Sequence, residues 1–124
     1  MKKTKEPTYV IVYGTLLEGE KNAHWAGDAK RIPTTIKGKL WDTVYGFPAF
    51  EPDPGGIVVE AEVLVTDEAG LEQMDRLEDY PRLYRREELR VKIAPTQWVY
   101  AWVYVMNKLP REATIISSGS WRRR

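Results

Sequence analysis

Apolar and polar positions alternate along much of this chain with a period of two, the signature of half-buried strands. Over residues 8–13 the run Tyr9, Val10, Ile11 and Val12 is β-branched and aromatic and is ended by Gly14, which predicts a strand. Over residues 57–65, Ile57, Val59, Ala61, Val63 and Val65 share one face, while Glu60, Glu62 and then Thr66 take the other. Two further alternating segments come late in the chain. In the first, Leu89, Val91 and Ile93 oppose Glu88, Arg90 and Lys92. In the second, Trp98, Tyr100, Trp102 and Tyr104 oppose Val99, Ala101, Val103 and Val105, so both faces are apolar and a central strand is expected. Residues 34–41 alternate imperfectly and predict an exposed strand.

A single stretch has helical character. Leu71, Met74 and Leu77 repeat at three-residue spacing, Asp67 and Glu68 place negative charge in the first turn, and Pro81 enforces a stop. These signals predict a helix over residues 67–77. Gly70 costs it about 1 kcal/mol relative to alanine. Residues 18–28 are polar around Ala23, Trp25 and Ala26, and read as a short helix or a helical turn. Residues 45–50 and 52–56 are dense in Gly and Pro and predict loops. Many strands, few helices and no internal repeat indicate the α+β class, with a sheet that curls into a barrel.

The length of 124 residues is that of one domain, long enough to bury roughly two-thirds of its unfolded surface. Residues 1–7 are charged, end in proline and read as a flexible leader; residues 8–121 form the single domain, and Arg122, Arg123 and Arg124 are a basic tail. Lys and Arg total 19 against 18 for Asp and Glu, so nothing in the charge balance calls for nucleic acid or an anionic membrane. There is no cysteine, which excludes disulfides and thiolate chemistry, and a single histidine, His24, argues against a His-rich metal site or a Ser-His-Asp triad. No cofactor or metal is expected. No apolar run approaches the ~20 residues of a membrane helix, and Met1, Lys2 and Lys3 are not followed by a signal-peptide core, so the cytoplasm is expected.

Two separated stretches carry candidate chemistry. Tyr13, Gly14, Thr15 and Leu16 lie at a strand end, where a glycine turn can present backbone N–H groups to an anion. Glu78 follows the predicted helix, among Tyr80, Pro81 and Tyr84. A carboxylate there is opposed by the helix dipole, and partial burial would raise its pKa into the range of a general acid–base at neutral pH. Taken alone, each stretch has an ordinary reading as a turn and a solvated helix end.

Their order and spacing within a longer pattern are more specific. The chain resembles the γ-glutamylcyclotransferase-like superfamily, in the small bacterial branch related to γ-glutamylamine cyclotransferases and AIG2-like proteins, from residue 10 to about residue 121. The resemblance rests on Tyr13-Gly14-Thr15-Leu16 with Gly19 and Asn22, on Gly38-Lys39-Leu40-Trp41, and on Tyr45-Gly46-Phe47-Pro48-Ala49. It continues through Val59-Glu60-Ala61-Glu62-Val63, Met74-Asp75-Arg76-Leu77-Glu78-Asp79-Tyr80-Pro81, Leu83-Tyr84-Arg85-Arg86, Val99-Tyr100-Ala101-Trp102-Val103-Tyr104 and Ser118-Gly119-Ser120-Trp121. Asp79 departs from the pattern, since many members carry glycine there.

The resemblance implies a small mixed β-barrel with a few helices packed outside and a cavity at one end. It implies an enzyme in which Tyr13, Gly14, Thr15 and Leu16 bind the α-carboxylate of a γ-glutamyl group. Glu78 is then the general acid–base, and the substrate's α-amine closes on its γ-carbonyl to give 5-oxoproline and a free amine. Tyr84 matches a pocket tyrosine, and Tyr104 reaches the cavity or packs the barrel. Asn22 is read as a helix-start residue ahead of a pocket-edge donor, His24 as structural, Asp42 and Asp75 as turn and helix-surface carboxylates, and the tryptophans mainly as barrel filler. The implied partner is a small γ-glutamyl molecule, with no nucleic acid and no membrane. The alternatives are a carboxylate-binding protein of the same fold without catalysis, and an oligonucleotide-binding barrel using exposed aromatics and the arginine tail, which the charge balance disfavours.

Overall fold

The computed structural model of the chain describes residues 6–124. Of the expected leader, residues 1–5 lie outside the described residues, and Glu6 and Pro7 are exposed with no regular structure. Seven strands follow in chain order: β1 (Thr8–Val12), β2 (Lys30–Asp42), β3 (Pro48–Pro52), β4 (Ile57–Thr66), β5 (Tyr84–Ala94), β6 (Gln97–Met106) and β7 (Thr114–Ile115). One α-helix, α1 (Glu68–Leu77), and short 3-10 turns at Ala23–Ala26 and Trp121–Arg123 complete the elements.

The strands form one mixed sheet in the order β3-β2-β4-β1-β6-β5, with β7 added against β2. Only β1 and β6 run parallel; the other neighbours are antiparallel. The sheet curls into a half-barrel, and side chains rather than strand ladders bridge its ends. The Tyr84 hydroxyl on β5 donates to the Pro48 carbonyl on β3 across 2.7 Å, and Thr34 on β2 donates to the Lys92 carbonyl on β5. Inside sit Ile11 of β1, Leu40 of β2, Phe50 of β3, Val59 and Val63 of β4, and Val103 of β6, all essentially inaccessible to solvent.

The alternation of β4 and β6 predicts their existence well, and β6 lies between β1 and β5 as expected of a central strand. The α+β class and the curling sheet are likewise as expected. Three segments differ. Strand β2 is longer than expected and has partners on both sides, because the ladder with β4 runs through Pro33 despite its missing N–H. Strand β3 occupies a Gly- and Pro-rich stretch that reads as loop; an edge position is where prolines at both strand ends are tolerated. Of residues 18–28 only Ala23–Ala26 is helical, as a single 3-10 turn. Of the tryptophans, Trp121 is buried and Trp25 and Trp41 pack partly buried against the core, whereas Trp98 is 48% exposed.

Helix α1 starts where its charge pattern predicts. Asp67 is the N-cap, its carboxylate accepting the Gly70 amide at 2.8 Å. Gly70 is required rather than merely tolerated, since a Cβ there would stand 1.9 Å from Thr66 Oγ1. Met74 is the buried residue of the helix and anchors it on the outside of the sheet.

Glu62 of β4, expected on the polar face, is 6% exposed and binds Arg31 of β2 at 2.7 Å. The same oxygen accepts the Glu18 amide, while Arg31 also donates to the carbonyls of Leu16 and Ala23. Arg122 reaches the other Glu62 oxygen and Glu60, so the first residue of the basic tail is tied to the sheet. This network fixes the chain that leaves β1. Glu62→Ala would leave Arg31 half-buried without its anion. It is expected to lower stability by about 3 kcal/mol in urea unfolding, with most of the loss recovered in Arg31→Met/Glu62→Leu.

Candidate active site

At one end of the half-barrel the loop after β1, the end of α1 and the strands β3, β5 and β6 enclose a cavity of about 30 Å³. Its lining includes Tyr13, Gly14, Thr15, Leu16, Phe47, Pro48, Glu78, Tyr84 and Tyr104. Every residue named from the sequence as a site residue is therefore in one place. A wider outer chamber of about 120 Å³ shares Thr15, Phe47, Glu78 and Tyr84 with it and adds Lys21, Asn22, Leu77 and Leu83. Larger concavities lie elsewhere, the biggest between β2 and the β5–β6 hairpin. The end cavity combines convergent polar groups with titratable side chains whose pKa is raised by burial.

The loop is shaped by contact with β3. Its Gly14 faces the Pro48 ring so closely that a Cβ would stand 2.3 Å from Pro48 Cγ. The turn is closed by the Leu17 amide on the Gly14 carbonyl and by the Asn22 amide on the Thr15 carbonyl. The amides of Gly14, Thr15 and Leu16 have no acceptor among the described residues. Asn22 holds the N-cap position of the 3-10 turn, but its side chain does not cap: Nδ2 donates to Thr15 Oγ1 at 3.0 Å. That contact fills an acceptor site on Thr15 and leaves its hydroxyl proton available. Asn22 thus stands at the start of the 3-10 turn, the reading favoured from sequence, and also at the edge of the outer chamber.

The tyrosines behave oppositely. Tyr13 donates to the Tyr104 carbonyl, Tyr84 to the Pro48 carbonyl and Tyr104 to Asp75 Oδ1, each at 2.7 Å. Burial raises the pKa of all three, and the nearby Glu78 charge adds to it, so the hydroxyls keep their protons. With every proton already given to the protein, none of the three donates into the cavity. The cavity lining therefore offers two kinds of group: amides without an acceptor and the Thr15 hydroxyl as donors, and Glu78 with the oxygens of Tyr84 and Tyr104 as acceptors.

Glu78 is the C-cap of α1, its amide held by the Met74 and Arg76 carbonyls. Its side chain has no hydrogen-bond partner among the described residues. Burial raises its pKa from 4.5 to about 7, and the negative end of the helix acts in the same direction. The next residue, Asp79, takes φ = 53°, a left-handed C′ position that glycine fills at no steric cost. That is a physical reason for glycine there, and Asp79 holds the same turn with its carboxylate paired to Arg82.

Asp75, read from sequence as a surface carboxylate, is instead partly buried against Tyr104, and Arg86 approaches it at 3.6 Å. Three-residue spacing from Glu78 was the available signal, since positions i and i+3 share a helix face. Asp42 is a turn residue as expected, accepting the Val44 amide. His24 is exposed in the 3-10 turn and outside both chambers. Among the described residues no cluster of three His, Asp or Glu side chains could hold a metal ion, and no helix is long and apolar enough to cross a membrane.

Comparison with known proteins points the same way. Residues 10–123 match the family described as Gamma-glutamyl cyclotransferase, AIG2-like. A Drosophila melanogaster protein named as a candidate gamma-glutamylcyclotransferase is 36% identical over 118 residues, spanning 87% of this chain and 75% of that protein. A Vibrio cholerae protein named in the same way is 34% identical over 119 residues, 93% of this chain and 96% of its own. Among solved structures, protein ytfP from Escherichia coli superposes with a TM-score of 0.69 at 28% identity over 92% of this chain and 96% of that one. YkqA from Bacillus subtilis superposes with a TM-score of 0.72 at 26% identity; this chain is covered over 94% of its length and spans 40% of YkqA.

Two expectations follow for stability. Folding favours the neutral form of Glu78, so its contribution is complete below about pH 4.5 and is lost as pH rises through about 7. Glu78→Gln, neutral throughout, should match the parent at pH 4 and exceed it by up to about 3 kcal/mol at pH 8.5 in urea unfolding; equal stability at both would show a solvated carboxylate. At the neighbouring left-handed position, Asp79→Gly should keep the melting temperature, whereas Asp79→Val should cost about 1–2 kcal/mol.

Proposed function

The chain belongs to the gamma-glutamyl cyclotransferase, AIG2-like family, and from that premise we propose that it converts a γ-glutamyl amine or amide to 5-oxoproline and free amine, with Glu78 as general acid–base. What supports this reading is a small cavity whose lining divides into free donors from the loop after β1 and acceptors that include an unpaired carboxyl group. An α-amino acid head group has the same division. Its carboxylate suits the amides of Gly14, Thr15 and Leu16 and the Thr15 hydroxyl; its ammonium suits Glu78 and the oxygens of Tyr84 and Tyr104.

The chemistry needs little more. Ionised Glu78 takes a proton from the substrate's α-ammonium. The freed amine nitrogen attacks the γ-carbonyl carbon of the same molecule, and a new C–N bond closes the five-membered ring. As the tetrahedral centre collapses, the bond to the leaving nitrogen breaks and Glu78 returns its proton to that nitrogen. The carboxylate then takes the second proton from the new ring nitrogen and passes it to the departing amine, which leaves as its ammonium. Both reacting groups are already in one molecule, so holding them in register supplies much of the rate, and no metal or cofactor is called for. A pKa near 7 lets one carboxyl group act as base and then as acid at neutral pH. The narrow inner cavity suits the small head group, and the wider chamber beyond Glu78 suits the departing amine.

The test is release of 5-oxoproline, followed by mass spectrometry, from a panel of γ-glutamyl amino acids, ε-(γ-glutamyl)-lysine and simple γ-glutamyl amines. Release is expected from at least one, with kcat/KM falling about tenfold per pH unit below pH 7. Glu78→Gln should lose about 10²–10⁴-fold in kcat. Turnover that survives the substitution would remove Glu78 from this role. Binding of 5-oxoproline without any turnover would favour a carboxylate-binding protein of the same fold.

A further inference from the structure

Asp75 and Glu78 lie three residues apart at the end of α1, and Tyr104 of β6 donates to the first and lines the cavity with the second. The tyrosine has one hydroxyl proton for two carboxyl groups. In the structure it goes to Asp75, at 2.7 Å, although Tyr104 lines the cavity with Glu78 and is close enough to feel its charge. The other partner of Asp75 is Arg86, whose Nε stands at 3.6 Å from the same oxygen, beyond hydrogen-bond reach. The guanidinium is held there by the Tyr80 and Trp102 rings, 4.2 and 4.9 Å away. Tyr104 is therefore the one strong hydrogen-bond donor that Asp75 has among the described residues.

We propose that Asp75 is a positioning residue for the proton carrier: by accepting the Tyr104 hydroxyl proton it leaves the Glu78 carboxyl group without a donor, so that Glu78 exchanges its proton with bound ligand alone. The other groups around Glu78 leave room for this effect. Tyr13 from the loop after β1 and Tyr84 from β5 give their protons to backbone carbonyls. Lys21 lines only the outer chamber, and Asp79 is turned to Arg82. On α1 itself Arg76 is exposed. If Asp75 is removed, the Tyr104 proton has Glu78 as the remaining carboxylate of the pair. A hydrogen bond to the ionised form would then favour it, and Glu78 would titrate at lower pH.

The experiment is a 13C NMR titration of glutamate side-chain carbons in the ligand-free protein, with the Glu78 signal assigned by its loss in Glu78→Gln. Asp75→Ala should titrate about one pH unit below the parent. Asp75→Asn keeps an oxygen to accept the tyrosine proton and should stay close to the parent. Asp75→Ala/Tyr104→Phe should return to the parent value, because the stray donor is gone. An effect of charge alone would move Asp75→Asn as far as Asp75→Ala and persist in the double variant, and that result overturns the proposal. If Asp75→Ala does not fold, Tyr104→Phe decides by itself. No change is expected, whereas a rise of about one pH unit would show that Tyr104 already donates to Glu78.

The proposal rests on Glu78 as the proton carrier, but the titration needs no substrate, so its outcome is separate from that of the cyclotransferase reading. Where turnover is found, the acid limb of kcat/KM should move down in Asp75→Ala by the same amount, a change that a merely structural role would not produce.

Discussion

The end of this half-barrel is held by Pro48. The strands β3 and β5 are the two ends of the sheet order and share no ladder; the Tyr84 hydroxyl on the Pro48 carbonyl joins them. The ring of the same proline occupies the space where Gly14 would carry a side chain, which sets the path of the loop after β1. The Tyr13 hydroxyl then ties that loop to the β6 backbone. Each such bond contributes about 1 kcal/mol net, but breaking one strands a buried polar group at a cost of about 1–3 kcal/mol. The groups that close the sheet are also the walls of the cavity. Their protons are committed by the fold, which is why the tyrosines enter the site as acceptors.

That commitment gives two carboxyl groups on one turn of helix different surroundings. Asp75 has a hydroxyl donor and a guanidinium beside it; Glu78 has neither and is half-buried at the negative end of the helix. A protein that needs one carboxyl group able to gain and lose a proton near neutral pH reaches that state by withholding partners from it. The cost is borne in stability above neutral pH, and the Arg31–Glu62 network on the opposite side of the loop supplies rigidity that the unpaired group cannot.

Local pattern carried much of this from the sequence alone. The alternation in β4 and β6, the first-turn charge and the stop of α1, and the glycine that ends β1 are all consequences of one residue and its near neighbours, so they are legible. The resemblance of the chain then brought Tyr13, Gly14, Thr15, Leu16, Glu78, Tyr84 and Tyr104 together without any contact being known. The contacts that could not be read are those set across strands. Gly70 looks like a defect in a helix until Thr66 is seen beneath it. Glu62 alternates with apolar residues as a surface residue would, and only the arrival of Arg31 from β2 explains its burial. Strand β3 has the composition of a loop because its backbone is fixed by β2, not by its own propensity. Asp75 was misjudged for the same reason, since its partner lies 29 residues away on another strand.

The division of labour in the site follows from the same geometry. The inner cavity is walled by strand ends and a helix terminus, whose side chains are locked by packing and hydrogen bonds. The outer chamber is bounded by Lys21 and Asn22 on one side and by Phe47 on the other, at the end of a loop in which Val44 holds φ = 67°. A β-branched residue rarely takes that conformation, and here Asp42 and Thr43 fix the turn through the Val44 and Tyr45 amides. Val44 and Tyr45 are left 56% and 61% exposed beside the chamber. Fixed chemistry inside and variable loops outside is an arrangement in which the head group of a ligand is specified by the fold, and the group attached to it by residues free to differ. Under the proposed cyclotransferase reaction, selectivity for the departing amine would fall to Lys21, Asn22 and the Val44–Phe47 turn rather than to the Tyr13–Leu16 loop or Glu78.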